Sequence, residues 1–342
     1  MKTLSIQGGR GQSDIHVGES LDNLKHYVPE NRRIIIITDS VVRDLYGKRF
    51  PSGDVISIGI GEKIKTLATL EHIFHRLIEM EADRSVFIVG IGGGIVCDTT
   101  GFAASLYLRG VDFGYVSTTL LAQVDASVGG KTGVNFGGYK NMVGVFNQPG
   151  FVICDPALLE TLPAKEIACG FAEIVKHAII ADADMFAFLE QNSPKALVLE
   201  RSVIQRLVFE SVDIKAGVVE QDEREQGERR KLNFGHTFGH AIEKTASLRH
   251  GEAVSLGMVI AGALSVEKGL LHPDEQGRIV ALLKSLGLPV RMEVDKQAVL
   301  DAMQKDKKRQ GDSIKFVLAD GLGQALVQDV SLQELADVVK RL

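Results

Sequence analysis

The sequence is poor in cysteine and has no long hydrophobic run, and each shortage excludes a class of protein. Its three cysteines, Cys97, Cys154 and Cys169, form no Cys-x-x-Cys pair, so neither a disulfide framework nor a thiolate zinc site is indicated. We expect all three to be small buried side chains. No run approaches the roughly 20 apolar residues of a membrane-spanning helix. The N-terminal residues lack the apolar segment of a secretory signal. Together these features favour a cytoplasmic protein with no membrane partner.

Charge of neither sign dominates the chain. The 39 lysines and arginines and the 44 aspartates and glutamates give a net charge of -5, and the basic residues form no long run. A nucleic-acid partner is therefore not indicated, because such proteins carry a basic patch or stripe. The length of 342 residues suits two domains of ordinary size.

The first 160 residues alternate strand and helix patterns. The segments RRIIIITD, DVISIGIG, SVFIVGIGGG, DFGYVST and FVICD are short apolar runs, and a helical pattern, TLATLEHIFHRLIEMEAD, separates two of them. Such alternation predicts a parallel sheet with right-handed crossovers. Ligands of such sheets bind beyond the carboxyl ends of the strands.

The second half of the chain is predicted to be mainly helical. From residue 164 to about 266 one helical pattern follows another, and a short β pair, SIKFVLA and QALVQDV, precedes a final helix. The predicted fold class is therefore α/β plus all-α. An N-terminal α/β domain of the nucleotide-binding type, residues 1–160, precedes a mainly helical domain, residues 161–342.

A glycine-rich turn, VGIGGGIVCD, follows a predicted strand and begins a predicted helix. Glycines let the backbone approach a pyrophosphate, and a helix N-terminus supplies free N–H donors. The turn departs from Gly-x-Gly-x-x-Gly, because Cys97 stands at the third glycine position counted from Gly92. Two interpretations stay open: a phosphate cradle, or a turn that only packs a strand tightly against a helix. Asp98, one turn into this helix, either faces a ligand or stabilises the helix start.

Three places offer side chains of the kind that bind zinc. FAEIVKH supplies Glu173, NFGHTFGH puts His236 and His240 at i and i+4, and RHGEAV supplies His250 at a predicted helix start. Residues four apart on a helix have Cβ atoms roughly 5–6 Å apart, so spacing by itself favours His236 with His240. A site of two histidines and one carboxylate would be catalytic, because it keeps positions open for substrate oxygens.

Basic residues in apolar or glycine-rich contexts form a further group. Each one alone is interpreted as a surface charge. A buried cation without a partner costs several kcal/mol, so as a set, beside a metal, they indicate a polyanionic substrate with a carboxylate and a phosphate. The group comprises Arg109, Lys131, Lys140, Lys176, Lys215 and Arg229.

Six motifs, in this order, resemble the 3-dehydroquinate synthase family. They are GGGIVCDTTGFAASLYLRG, TTLLAQVDASVGGKTGVN, KNMVGVFNQP, GFAEIVKH, LNFGHTFGHAIE and HGEAV, and the resemblance extends from about residue 39 to 308. It implies a Rossmann-like N-terminal domain, a helical C-terminal domain, bound NAD, one divalent metal (Zn or Co) and a homodimer.

The resemblance also implies the site residues. The metal ligands would be Glu173, His236 and His250, which overrules the spacing argument for His240. The NAD-binding set would be Asp39, Glu62, Lys65, Gly93, Gly94, Asp98, Thr118, Thr119, Leu121, Lys140 and Thr161. The catalytic set would be His240, Lys131, Arg229, Asn233, Lys176 and Lys215. Further substrate-binding residues would be Arg109, Asp125, Lys140, Asn141 and Lys307, the last in a register that the adjacent Lys308 also fits.

The reaction implied by the resemblance converts 3-deoxy-D-arabino-heptulosonate 7-phosphate to 3-dehydroquinate and phosphate, a step of the shikimate pathway to aromatic amino acids. NAD oxidises one hydroxyl, phosphate leaves by β-elimination, the ketone is reduced again, and an intramolecular aldol reaction closes the carbocycle. His240 would be the proton acceptor or relay. Arg229 and Lys131 would hold charged ends of this small sugar acid phosphate.

Under this interpretation, two glycines account for the close spacing of a carboxylate and a lysine in one unusual stretch of the sequence. In TTLLAQVDASVGGKTGVN, Asp125 and Lys131 flank a Gly-Gly hinge, and they would meet one ligand from two sides as a loop folds around it. Lys140, Asn141 and the region of Lys307 would hold the phosphate.

Two positions depart from the family pattern, and other functions stay open. Ser117 stands where proline is common and Cys97 where glycine is common, and neither change removes a chemical group of the site. The alternatives are another sugar phosphate cyclase, of the 2-deoxy-scyllo-inosose or valiolone type, and a metal-dependent polyol dehydrogenase, which would accumulate NADH. A nucleotide-binding regulator is a non-enzymatic alternative.

Overall fold

The computed structural model describes residues 1–8, 11–246, 248–293, 295–304, 309–310 and 313–341. The chain divides into two units. The first comprises Met1–Leu162 together with Lys215–Arg224, and the second comprises Pro163–Ile214 and the residues from Glu225 onward. The sequence-based boundary lies at 160/161, and the structure in addition groups Lys215–Arg224 with the first unit.

A seven-stranded sheet organises the first unit. Its strands are β1 (Lys2–Gly8), β2 (Gly11–Val17), β3 (Ile34–Asp39), β4 (Asp54–Ile58), β5 (Phe87–Gly92), β6 (Asp112–Ser117) and β9 (Phe151–Cys154). Their order in the sheet is β1-β2-β9-β6-β5-β3-β4. All neighbouring strands are parallel except β1 and β2, which form a hairpin at one edge. The predicted parallel sheet is confirmed.

Helices α1 (Ser40–Tyr46), α2 (Leu67–Glu79) and α3 (Gly94–Leu106) belong to the same unit. The sheet is apolar on both faces at its centre, as expected of parallel strands that helices cover. Ile35, Ile36 and Ile37 on β3 are all buried, which explains why RRIIIITD shows no alternation of polar and apolar residues.

A second hairpin follows β6 in the chain. Strands β7 (Lys131–Phe136) and β8 (Tyr139–Phe146) pair in antiparallel register, whereas the sequence analysis treats GGKTGVN as a loop. That expectation is wrong, because the glycines hide the strand pattern: Gly133 lies opposite Gly144, where the two backbones approach closely. A single π-helical turn, Ala122–Ala126, precedes this hairpin.

The second unit is mainly helical, as predicted. Helix α8 is apolar on all sides because α4, α7, α9 and strand β11 all pack against it. The predicted β pair is confirmed as β11 with β12. The elements are α4 (Ala164–Ala181), α5 (Ala183–Leu197), α6 (Arg201–Gln221, its end in the first unit), α7 (His236–Ala246), α8 (His250–Glu267), α9 (Pro273–Ser285), α10 (Lys296–Gln304), β10 (Arg309–Gln310), β11 (Ser313–Ala319), β12 (Ala325–Ser331) and α11 (Leu332–Arg341). Among the described residues, no helix has both the length and the apolar composition needed to cross a membrane.

Candidate functional site

Three side chains of the second unit converge on one point. Glu173 lies in the middle of α4 and is fully buried, while His236 and His250 are the first residues of α7 and α8. His250 Nε2 lies 3.1 Å from Glu173 Oε1, and His236 Nε2 lies 3.7 Å from the same oxygen. One ligand atom from each residue lies within 4.8 Å of the others, which is a spacing that one metal ion can bridge.

The local sequence explains how two helix starts reach a third helix. A Cβ at Gly251, the second residue of α8, would lie 2.3 Å from the Cα of Cys169 on α4. Only glycine therefore allows α8 to begin against α4, one residue after His250. On the other side, Gly235 has φ of +75°, a conformation that favours glycine, and it turns the chain into α7 at His236.

The two histidine rings are oriented by other contacts. His236 Nδ1 lies 3.1 Å from the carbonyl oxygen of Phe234, so Nε2 is the nitrogen that faces Glu173. His250 Nδ1 lies 3.8 Å from Glu243 Oε2 while its Nε2 faces Glu173. The carbonyl oxygen of Phe234 fixes which nitrogen of His236 is available, as in many metal sites, and the Glu243 carboxylate faces the opposite nitrogen of His250.

Electrostatic interactions favour the ionised form of Glu173 at the centre of this group. Burial alone would raise the pKa of Glu173, but the Lys176 ammonium, with His250 and His236, outweighs it and holds that pKa well below its usual value. Burial, with Lys176, lowers the pKa of His236 well below its usual value. Burial opposes protonation of His250, yet its hydrogen bonds to Glu173 and Glu243 raise its pKa to about 10.

His240 lies close to the same group. Its ring centroid is 5.2 Å from that of His236 and 6.4 Å from that of His250. His240, Glu243 and His250 form a second group whose possible ligand atoms lie within 4.8 Å of one another. Of the two groups, Glu173–His236–His250 is the more buried, and the assignment of ligands remains a prediction.

Arg229 and Asn233 lie just before α7, in a 3-10 turn, Glu228–Asn233. Arg229 is 2% exposed. Asn233 Nδ2 donates a hydrogen bond to Glu225 Oε1 at 2.5 Å, which orients its amide. Both residues precede the histidine helix in the second unit.

In the first unit, the predicted nucleotide residues follow the carboxyl ends of neighbouring parallel strands. Because such ends meet at one edge of a sheet, the topology brings residues from distant parts of the sequence to that edge. Strand by strand they are Glu62 and Lys65 after β4, Asp39 at the end of β3, Gly93, Gly94 and Asp98 after β5, Thr118, Thr119 and Leu121 after β6, and Thr161 after β9.

Some of these residues also have local structural roles. Asp39 Oδ1 accepts the Val42 N–H at 2.9 Å and caps α1. Thr119 Oγ1 accepts the Ala122 N–H at 3.1 Å. A Cβ at Gly94 would lie 2.8 Å from Ala126 Cβ, so the tight-packing interpretation of the glycine turn holds at this position. Gly93 has no side chain that could cap the first N–H groups of α3, so these donors are available to a phosphate as well.

Hydrogen bonds join predicted residues of the first unit into two separate clusters. Lys215 Nζ donates to the Asp125 carboxylate at 2.6 Å and to its carbonyl oxygen at 2.5 Å. Lys65 Nζ donates to Asp98 Oδ2 and to Asn141 Oδ1, each at 2.5 Å. Asp125 therefore has a cationic partner within the chain.

Other predicted substrate residues occupy exposed positions. Lys131 begins β7 after Gly129 and Gly130, both with positive φ, and Lys140 is exposed on β8. Arg109 is exposed with φ of +68°, and among the described residues no hydrogen bond or ion pair joins it to another predicted site residue. Lys307 lies outside the described residues.

The sequence analysis overlooked two residues that touch these groups. Glu243 lies on the same face of α7 as His236 and His240, at i+7 and i+3, so helical spacing could have identified it. Asn135 stands inside the motif GGKTGVN and contacts Glu62 and Asn141. Asn135 reaches Glu62 and Asn141 only because β7 and β8 form a hairpin, and the glycines obscure the strand pattern of that hairpin in the sequence.

Comparison with known proteins identifies similar sequences and structures. The family descriptions "3-dehydroquinate synthase N-terminal" and "3-dehydroquinate synthase C-terminal" match residues 55–169 and 170–309. The chain is 46% identical over 296 residues to a 3-dehydroquinate synthase of Sulfurovum sp. strain NBC37-1, covering 85% of this chain and 83% of the relative. It is 41% identical over 356 residues to one of Dehalococcoides mccartyi, covering 99% and 98%.

Solved structures of similar fold come from other cyclases. A 2-deoxy-scyllo-inosose synthase complexed with carbaglucose-6-phosphate, NAD+ and Co2+ superposes with a TM-score of 0.88 at 26% identity, covering 99% of this chain and all (100%) of that one. A 2-epi-5-epi-valiolone synthase from Streptomyces hygroscopicus with NAD+ and Zn2+ bound also has a TM-score of 0.88 at 26% identity, with 100% and 99% covered.

Proposed function

Because the chain belongs to the 3-dehydroquinate synthase family, we propose that it carries out that family's reaction with Glu173, His236 and His250 as its metal centre. The protein is a phosphate-eliminating carbon–oxygen lyase that acts on 3-deoxy-D-arabino-heptulosonate 7-phosphate and forms 3-dehydroquinate. The observation that carries the site assignment is the convergence of one buried carboxylate and two histidines from three helices.

These three residues fit a divalent ion such as Zn or Co. Both ions accept imidazole nitrogens and carboxylate oxygens, and a set of three protein ligands leaves a position for substrate. The chemistry that such an ion supplies when bound is the polarisation of a substrate hydroxyl or carbonyl oxygen. Glu243 would act behind His250, where it keeps the Nδ1–H oriented and Nε2 turned toward Glu173.

The sheet edge of the first unit fits NAD. The uncapped start of α3 offers backbone N–H groups to a pyrophosphate. Charged groups are supplied by Glu62 and Lys65, which follow β4, and by Asp98 on α3. The chemistry that NAD supplies when bound is the reversible acceptance of a hydride from a substrate carbon. Similar proteins with NAD+ bound support this assignment.

The remaining residues would bind the substrate and move protons. His240, beside His236, would take the proton of the reacting hydroxyl, since an imidazole nitrogen can accept a proton and return it later. Lys176 would supply positive charge beside the reacting oxygens. The other substrate residues are Arg109, Asp125, Lys131, Lys140, Asn141, Lys215, Arg229, Asn233 and, outside the described residues, Lys307.

The test is phosphate release from the heptulosonate phosphate by the purified protein, with NAD well below the substrate concentration. We expect many turnovers per NAD, no accumulation of NADH, loss of activity with a chelator and recovery with Zn or Co. Glucose 6-phosphate, the natural counterpart of the carba-analogue in the inosose synthase, serves as the control substrate. Release from glucose 6-phosphate alone would instead indicate a cyclase of the inosose type, and NADH equal to the substrate consumed would indicate a polyol dehydrogenase.

A homodimer and a cytoplasmic location complete the proposal. Both rest on the chain's membership of the 3-dehydroquinate synthase family. Light scattering during size-exclusion chromatography should give twice the mass of the 37.1 kDa chain, and cell fractionation should recover the protein with cytoplasmic enzymes. A monomer mass at micromolar concentration would contradict the dimer.

A further inference from the structure

Asn135 has no role in the proposed function, yet it lies at the centre of a hydrogen-bonded cluster. We propose that Asn135 is a positioning residue that holds Asn141, a substrate residue, against Glu62 and Lys65, two nucleotide residues. Through it, binding of the substrate phosphate and binding of NAD would be coupled. The inference rests on the proposed function for the roles of those three neighbours.

Asn135 makes three hydrogen bonds in this cluster, through its side-chain nitrogen, its side-chain oxygen and its backbone N–H. Its Nδ2 donates to Glu62 Oε1 at 2.7 Å, and its backbone N–H donates to the carbonyl oxygen of Lys65 at 2.8 Å. Its Oδ1 accepts the backbone N–H of Asn141 at 2.9 Å. One side chain therefore joins the segment after β4 to strand β8.

Lys65 closes this cluster into a ring. Its Nζ donates to Asn141 Oδ1 at 2.5 Å and also to Asp98 Oδ2 on α3. Asn135, Lys65 and Asn141 thus each contact the other two. Because Lys65 is 5% exposed, the ring is attached to a buried point of the first unit rather than to the exposed tip of the hairpin.

The backbone geometry indicates that the arrangement is specific. Between the pairs Val134–Val143 and Phe136–Tyr139, Asn135 alone on β7 faces residues 140–142 on β8. The extra residues of this irregularity therefore lie on β8 and include Asn141, while the N–H of Asn135 leaves the ladder and donates to Lys65. Bulges of this kind re-aim side chains next to active sites. Asn141 has φ of +50°, a left-handed conformation that few residue types other than glycine and asparagine adopt readily, and the hydrogen bond from its N–H to Asn135 holds it there.

Only an amide satisfies both ends of this contact. The carboxylate of Glu62 requires a donor, and the N–H of Asn141 requires an acceptor. An aspartate would keep the acceptor but place a second carboxylate against Glu62, and an alanine would remove both bonds. The aspartate variant therefore disturbs only the contact with Glu62, the nucleotide residue, whereas the alanine variant also removes the contact with Asn141, the substrate residue.

The experiment measures the metal-loaded full chain in three forms: unsubstituted, Asn135→Ala and Asn147→Ala. Asn147 is the matched control, because it follows β8 and donates a single side-chain hydrogen bond to Ser105 Oγ at 2.9 Å. For Asn135→Ala we expect the Kd of NAD, by calorimetry, and the KM of the heptulosonate phosphate each to rise about tenfold. The value of kcat should change less than about threefold, since the groups that move protons lie elsewhere. The control should change neither constant more than about twofold.

A double-mutant cycle tests the contact itself. Asn135→Asp should weaken NAD binding more than it raises the KM of the substrate, because it keeps the acceptor for Asn141. Adding Glu62→Gln returns a donor to the new carboxylate, so the double variant should bind NAD at least about fivefold more tightly than the product of the two single effects predicts. The melting temperature of each variant shows whether it is folded. If Asn135→Ala does not fold, the double-mutant cycle tests the inference in its place.

Several results would overturn the inference. These are unchanged KM and Kd in a folded Asn135→Ala variant, a fall in kcat with both constants unchanged, or an additive cycle. Turnover by the unsubstituted protein tests the proposed function separately. If it binds NAD but releases no phosphate, the proposed function fails while the NAD titrations still decide the coupling between Asn135 and Glu62.

Discussion

At the scale of single residues, the buried pair of Glu173 and Lys176 governs the metal centre. Both side chains are almost fully buried, at 0% and 2% exposure, and they form an ion pair one turn apart on α4. Removing one member of a buried pair is costly because the desolvated charge of the other loses its balance. The same carboxylate is the proposed metal ligand, so stability and metal binding depend on one group.

We predict that Glu173→Gln lowers the free energy of unfolding by about 3 kcal/mol, measured by urea denaturation with a chelator present. It should also weaken zinc binding by at least about 100-fold in competition with a chromogenic chelator, because a neutral amide is a poor ligand. The control is Glu173→Gln with Lys176→Met, which removes both charges. It should recover most of the lost stability and none of the zinc affinity, and a double variant no more stable than the single one would contradict the charge-balance argument.

The burial of the three cysteines is a second feature at the scale of single residues. All three are buried, at 0% for Cys97 and Cys154 and 2% for Cys169, which confirms the sequence prediction. Burial raises the pKa of Cys154 to about 12 and that of Cys169 to about 11, and it raises the pKa of Cys97 further. Since the thiolate is the reactive form, each thiol is inert near neutrality.

A disulfide reagent such as DTNB should therefore label none of the three thiols in the native protein within an hour at pH 8. All three should react within seconds after unfolding in guanidinium. Rapid reaction of one thiol in the native protein would show that the residue is accessible and would reopen the question of a reactive cysteine.

At the scale of elements, the metal centre depends on how closely α8 begins against α4. Gly251→Ala would place a Cβ 2.3 Å from the Cα of Cys169, and neither backbone can yield without moving His250. We predict a loss of about 1–3 kcal/mol of stability and at least about tenfold weaker zinc binding. Thermal unfolding and chelator competition measure the two effects.

Gly277→Ala on α9 is the matched control for that substitution. Nothing lies within 4 Å of a Cβ at this position, so alanine should stabilise the helix by about 0.5–1 kcal/mol and leave zinc affinity unchanged. If Gly251→Ala behaved like Gly277→Ala, close packing of α8 on α4 would not be what sets the position of His250.

At the scale of the whole molecule, the proposed ligands bind to different units. The metal group lies entirely in the second unit, and the nucleotide residues lie in the first. Hydrogen-exchange mass spectrometry should therefore show separate patterns of protection. NAD should protect peptides around 61–65, 92–98 and 118–121, and Zn should protect those around 173, 236 and 250, because a ligand slows local opening where it binds. NAD that left the peptides around 92–98 and 118–121 unprotected would contradict the assignment.

Much of this protein follows from its sequence by itself. The β-branched runs that end in glycine or a polar residue determine a parallel sheet, since such runs can only be buried on both faces. The helical periods determine the second half of the chain. The ordered motifs determine the family, and with it the reaction, because local patterns carry residue identity directly.

What the tertiary structure decided is which of these residues meet. Spacing along α7 favoured His236 with His240, but a metal group also depends on α4 and α8, and only Gly251 packed on Cys169 brings His250 to Glu173. The pairing of Lys215 with Asp125, 90 residues apart, and the ring around Asn135 have no local signal. Contacts of this kind form because strands and helices pack side by side, and packing joins positions whose separation along the chain carries no periodicity.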